Sequence, residues 1–264
     1  MDTVSLVSAV VSVVGAVVTV TLGGLFEWRR QHSNREYARR DRVSRYRDPL
    51  LQAAARLQGR LGNMVLYFSE PVTSLADASV TSVTQVARGK PRQEEYNLYE
   101  TLYRFGLYQG WVHILFQEAG FLDLGSRRHN RKLMRLLSAV SGAIAGHDDL
   151  GRTGILQGGE QQLIGELMVA LEGTDPPRRR CLGYLEFRTR LDNDPEFAQR
   201  FQPLIEYGGG LLTDPEGGLR RIAIVHNALI DLIAFLDPHE VWVLGSRDRL
   251  PIPGPPLTER SPSA

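Results

Sequence analysis

The stretch LRRIAIVHNALIDLIAFL, Leu219 to Leu236, is apolar on nearly every face and contains neither proline nor glycine. A strand averages about 5–6 residues, so an uninterrupted run of this length reads as a helix. A helix that is apolar all round belongs at the centre of a bundle. Its polar residues His226, Asn227 and Asp231 then need partners. Asn227 and Asp231 are four apart and share a face, with His226 offset, and a hydrogen-bonded core network is the simplest reading.

Helical periodicity recurs on the N-terminal side. Asp48-Pro49 reads as an N-cap followed by proline at the first helical position. Leu50, Ala54, Leu57, Leu61, Val65 and Phe68 then fall at spacings of three and four. From Gln93 to Glu118 runs an aromatic helix with Leu98, Leu102, Phe105, Val112 and Phe116 on one stripe. Gly106 and Gly110 within it mark a groove where another helix approaches, since glycine in a helix interior costs up to about 1 kcal/mol. Ser126 caps a helix that turns Leu133, Leu136, Leu137, Val140 and Ile144 inward, and a glycine-rich turn leads to a further helix, Glu160–Leu171.

Shorter helices are expected near 180–191 and 195–206, the second capped by Asp194 before Pro195. Gly208–Gly210 and Gly217-Gly218 bound a loop, Val241–Leu244 reads as a short strand or turn, and residues 246–264, rich in Pro and Ser, read as a disordered tail. Few segments alternate with period two. The reading is all-α: a helical domain over 48–245.

Residues 4–26 hold no charge and nine valines. As a helix they extend about 34 Å, against a hydrocarbon core of about 30 Å. Trp28 follows at interfacial depth, then Arg29 and Arg30. A single transmembrane helix is expected, with residues 1–3 outside. Arg29, Arg30, Arg35, Arg39, Arg40, Arg42, Arg45 and Arg47 on its C-terminal side form a basic stalk, 27–47. The positive-inside rule therefore puts the helical domain in the cytoplasm at the cell membrane. The stalk's cations can also attract anionic lipid headgroups. Ser8, Ser12 and Ala16, like Gly15, Thr19 and Gly23, repeat at four, a spacing that suits a homo-oligomer through the span.

The net charge of +1 conceals an asymmetry: between Glu27 and Arg60 ten arginines face only four acids, so the remainder of the chain is mildly acidic. That disfavours duplex nucleic acid as a partner. Cys181 is the single cysteine, so no internal disulfide forms.

The sequence has no GxxxxGK[ST], GxSxG, HExxH or paired CxxC pattern, and no cofactor or metal is expected. His147-Asp148-Asp149 are consecutive and cannot all converge on one ion. The candidate polar site is Glu160, Gln161 and Glu166 near the start of one helix, with His113, His226 and Asp231 from two others. Acids at a helix start also serve the dipole and the orphan amides. Arg127–Arg135 and Arg178–Arg180 are basic clusters; the first opposes its helix dipole, which favours an anionic partner.

Tyr46-Arg47-Asp48-Pro49-Leu50-Leu51 with Ala53-Ala54, Trp111 with Ile114-Leu115, Gly159-Glu160-Gln161 to Met168, and Leu229-Ile230-Asp231-Leu232 to Asp237-Pro238 resemble a group of membrane-anchored helical proteins common in actinobacteria. The resemblance covers most of residues 46–240 and departs at Gln162. No activity is established for that group, so the resemblance implies architecture and transfers no site. The expectation for function is a non-enzymatic, membrane-tethered helical module binding a protein or lipid partner. The alternatives are a membrane-associated enzyme using Glu160, Glu166 and His226, and an oligomerising effector that perturbs the membrane.

Overall fold

Leu50, Ala54, Leu57 and Leu61 bury one face of the first helix, α1 (43–65), as their spacing requires. The structure is a computed structural model that describes residues 43–65, 91–118, 127–146, 155–174, 177–213 and 215–253. The chain divides into two units, Met1–Arg45 and Tyr46–Ala264. The expected span 4–26, its stalk as far as Arg42, Ser126 and His147-Asp148-Asp149 lie outside the described residues. Among the described residues no helix is long and apolar enough to cross a membrane.

After α1 come α2 (Pro91–Glu118), α3 (Arg127–Ala145), α4 (Gly158–Leu167), the strands β1 (Val169–Glu172) and β2 (Arg178–Cys181), then α5 (Tyr184–Asn193), α6 (Pro195–Thr213) and α7 (Pro215–Leu236). The body is mostly helical. Its strands form an antiparallel hairpin with Val169 opposite Cys181 and Glu172 opposite Arg178.

Several expectations are corrected. The first helix does not start at Asp48-Pro49 but runs through it, with Asp48 paired to Arg47. Burial of Leu50, Leu51, Ala53 and Ala54 immediately beyond outweighs the bond that Pro49 cannot donate. The helix over 160–171 ends at Leu167. Met168 drops fully buried into the glycine groove of α2, and Leu182 N–H donates to its carbonyl at 2.8 Å. That contact turns the chain into β1, and its partner β2 replaces the start of the helix expected from 180.

Gly208–Gly210 continue α6, because Tyr207 and Leu211 on either side are buried and offset roughly 1 kcal/mol per glycine. The α7 helix begins at Pro215 and includes Gly217 and Gly218. Asp194 does cap α6, its Oδ1 accepting the N–H groups of Glu196 and Phe197 at 3.1 Å.

Two helices form the centre. Most of α7 is buried, as its composition requires, and α2 is buried on nearly every face from Thr101 to Gly110. The groove on α2 is real but receives more than a helix: a Cβ on Gly106 would lie 3.0 Å from Met168 Sδ, and one on Gly110 would lie 2.7 Å from Cys181 Sγ. The α4 helix meets α2 through Gly165, where a Cβ would lie 2.8 Å from the Gln109 carbonyl oxygen. Phe116, expected on the inward stripe, is 51% exposed.

The segment 246–253, expected as disordered tail, lies along α7. The Asn227 amide pairs with the Leu250 backbone, donating from Nδ2 and accepting at Oδ1, both at 2.9 Å. Asp231 pairs with Arg249, and Gln58 Nε2 donates to the Ser246 carbonyl at 3.3 Å. Polar side chains on α7 thus satisfy an irregular backbone that composition alone marks as loop.

Cys181 ends β2 beneath α2. Burial pushes its thiol up to about 12, with Arg180 opposing. Iodoacetamide should therefore label native Cys181 far more slowly than the unfolded chain, whose thiolate population at neutral pH is about a thousandfold larger. Equal labelling rates in the presence and absence of denaturant would contradict this packing.

Candidate functional site

The close approach of α2 to α4 at Gly165 gives way, toward the start of α4, to a space shared with α3. A cleft of about 350 Å³ opens there. Tyr108, Gln109, Val112, His113, Phe116 and Gln117 of α2 form one wall. Leu137, Ser138 and Ser141 of α3 face Gly158, Gln161 and Gln162 of α4. Among the described residues the lining carries amides, hydroxyls and one imidazole against aromatic and aliphatic surface, and no carboxylate, lysine or arginine.

Gln161 anchors the floor. Its Oε1 accepts from Gln109 Nε2 at 3.2 Å and Ser141 Oγ at 2.8 Å, and its Nε2 donates to the carbonyls of Ser141 at 3.0 Å and Leu156 at 2.8 Å. All four of its hydrogen-bonding positions are filled. Gln109 is 6% exposed, and its Oε1 accepts from no described residue. His113 is half-buried beside it, and its ring hydrogen-bonds to no described residue.

Of the six sequence-derived candidates, His113 and Gln161 therefore meet at the cleft. Glu160 is not part of its lining, and its Oε2 accepts the Gln157 backbone N–H at 2.7 Å across the start of α4. Glu166 is exposed and accepts from Gln162 Nε2 at 3.0 Å. Both acids do the work of a helix start and a helix surface.

His226 and Asp231 stand elsewhere. His226 is buried against α1, its Nε2 2.8 Å from Gln58 Nε2. Since an amide nitrogen only donates, His226 Nε2 is the acceptor and its proton sits on Nδ1, 3.4 Å from Asn227 Oδ1. Asp231 lines a second cavity of about 380 Å³ with Arg221, Asn227 and Arg249, between α3, α7 and the 246–253 segment. The trio His226, Asn227 and Asp231 is thus a clamp on α1 and the C-terminal segment. Arg45 and Arg47 are the described members of the basic stalk.

Burial holds the His226 imidazole below its ordinary value of 6.5, against the smaller effect of Asn227, which raises it. The sign follows: the unfolded chain binds the proton more readily. Stability from neutral His226 is complete above that value and is lost as pH falls through the depressed folded one. Denaturation midpoints should fall between neutral pH and mild acid, and His226→Gln should flatten that slope.

The sequence reading missed Gln109, Ser138 and Ser141. A glutamine between Gly106 and Gly110, in the most apolar part of an aromatic helix, was the available signal. Among the described residues no group of three or more His, Cys, Asp or Glu side chains could hold a metal ion. Compared with known proteins, the chain matches no family model, no curated protein and no solved structure.

Proposed function

We propose that the chain is a membrane-tethered helical module, anchored by residues 4–26 with its body in the cytoplasm, that binds a partner through the α2–α3–α4 cleft without transforming it. One observation carries this reading: among the described residues the cleft is lined by amides, hydroxyls and an imidazole with no carboxylate, while Glu160 and Glu166 are hydrogen-bonded within α4 and His226 is bonded to Gln58 of α1. Neutral amides and hydroxyls beside Phe116 and Val112 suit a partner that offers backbone or amide groups along with an apolar side chain. The charge-free span with its arginine flank, and the resemblance to membrane-anchored helical proteins, support the tether.

A photo-crosslinking amino acid placed at Phe116 in the full chain, in cells, tests the reading. A discrete protein or lipid adduct, absent when the probe replaces exposed Leu185 outside the cleft, is the expected result. Identical products from both positions, or none from either, would refute it.

A further inference from the structure

The loop after α7 is wound around a buried charge. Asp237 is 3% exposed, and its carboxylate accepts the backbone N–H groups of Val241, Trp242 and Val243 at 3.0–3.1 Å. Arg247 donates to the same carboxylate at 3.0 Å and to the Asp237 carbonyl at 2.8 Å. Glu240 takes a left-handed φ of 56° to make the turn. The loop so fixed packs Val243 against the core and points its other apolar side chains outward: Val241 is 62%, Trp242 68% and Leu244 93% exposed. A tryptophan and a leucine held outward in this way mark a contact surface, because solvent exposure gains them nothing.

The same end of the body is strongly basic. Phe235, two residues before Asp237, lies 6.1 Å from the His129 ring and 5.3 Å from Lys132 Nζ, which brings the N-terminal half of α3 beside the loop. Arg127, Arg128, Arg131, Lys132 and Arg135 are all exposed there, and none ion-pairs with a described residue. The first turn of α3 has no acid, so these cations stand at the positive end of the helix dipole. An anionic surface relieves that repulsion.

We propose that this end docks on an anionic bilayer, with the α3 arginines at the headgroups and the Trp242 loop in the interfacial layer. Three features select lipid as the occupant. Cations flank an aliphatic and aromatic tip, the composition of interfacial segments. Tryptophan favours the headgroup depth. The loop's outermost amides are already bonded to Asp237, so entry into a phase of low polarity strands none of those three donors. The inference rests on the membrane-tethered reading, which supplies the bilayer.

The test uses the full chain with Trp28→Phe and Trp111→Phe, which leaves Trp242 as the single tryptophan. It is placed in vesicles of phosphatidylcholine alone, or of phosphatidylcholine with phosphatidylglycerol, both carrying brominated acyl chains. In the anionic vesicles Trp242 emission should shift to the blue and be quenched, and added salt should reverse both effects. Arg128→Gln with Arg131→Gln should weaken docking about 25-fold, at about fivefold per cation, while Cys181 stays protected from alkylation. Equal emission in both lipids, or quenching unchanged by the double substitution, overturns the proposal, as does capture of duplex DNA with no response to vesicles. Release of the chain by alkaline wash with salt-sensitive quenching intact refutes the tether alone; retention without quenching refutes the docking alone.

Discussion

Gly165→Ala is expected to destabilise the body by about 2–3 kcal/mol, the cost of overpacking where neighbours cannot yield. A methyl at this position would meet the Gln109 carbonyl oxygen at 2.8 Å and His113 Cβ at 3.0 Å. The first of these atoms belongs to the backbone of α2, so relief requires the two helices to separate. Separation would also draw Met168 out of the groove formed by Gly106 and Gly110, where it is fully buried. Gly159→Ala is the matched control, since its Cβ meets nothing within 4 Å. That substitution should be neutral or slightly stabilising through helix propensity. Denaturant unfolding followed by circular dichroism, and independently by alkylation of Cys181, measures both variants. Coincident midpoints for Gly165→Ala and the parent would show that the α2–α4 approach is looser than described.

How far the sequence reveals this molecule depends on whether information is local. The spacing of Leu50, Ala54, Leu57 and Leu61 is local, as is the Asp194-Pro195 start, and both read correctly. The end of α4 is not local. Nothing in residues 160–171 announces that Met168 fits between two glycines sixty residues away, and that fit converts a helical pattern into a strand. The continuation of α6 through three glycines rests likewise on what Tyr207 and Leu211 touch.

The candidate site shows the same division. Gln161 and His113 were visible as polar residues at helical positions. Their convergence on one cleft, and the separation of His226 and Asp231 into a clamp on the C-terminal segment, follow from the order in which helices pack. Asn227 and Asp231, four apart, do share a face as their spacing requires. What that face holds is the stretch whose composition argued for disorder.

The second large effect is expected at Gln161. Replacement by leucine removes four hydrogen bonds at a residue 4% exposed and leaves Gln109 Nε2 and the Leu156 carbonyl without partners. The loss should be about 3 kcal/mol, since stranded buried groups cost more than the net value of a bond. Glutamate separates geometry from hydrogen bonding. Gln161→Glu keeps two acceptors for Gln109 and Ser141 but turns a donor into an oxygen facing two carbonyls. Burial and those carbonyls raise its proton affinity in the folded state. The stability of this variant relative to the parent should therefore be greatest below the ordinary glutamate value of about 4.3 and fall as pH rises through the folded value. The parent slopes the opposite way through His226, so opposed pH slopes in one fold are the signature to measure. Parallel slopes would show that residue 161 is solvated and that the cleft floor is not the network described. If the slopes oppose, crosslinking from Phe116 in Gln161→Glu becomes decisive for function. A partner recognised through Gln109 and Ser141 should be lost from that variant at neutral pH even at temperatures where its helices remain folded.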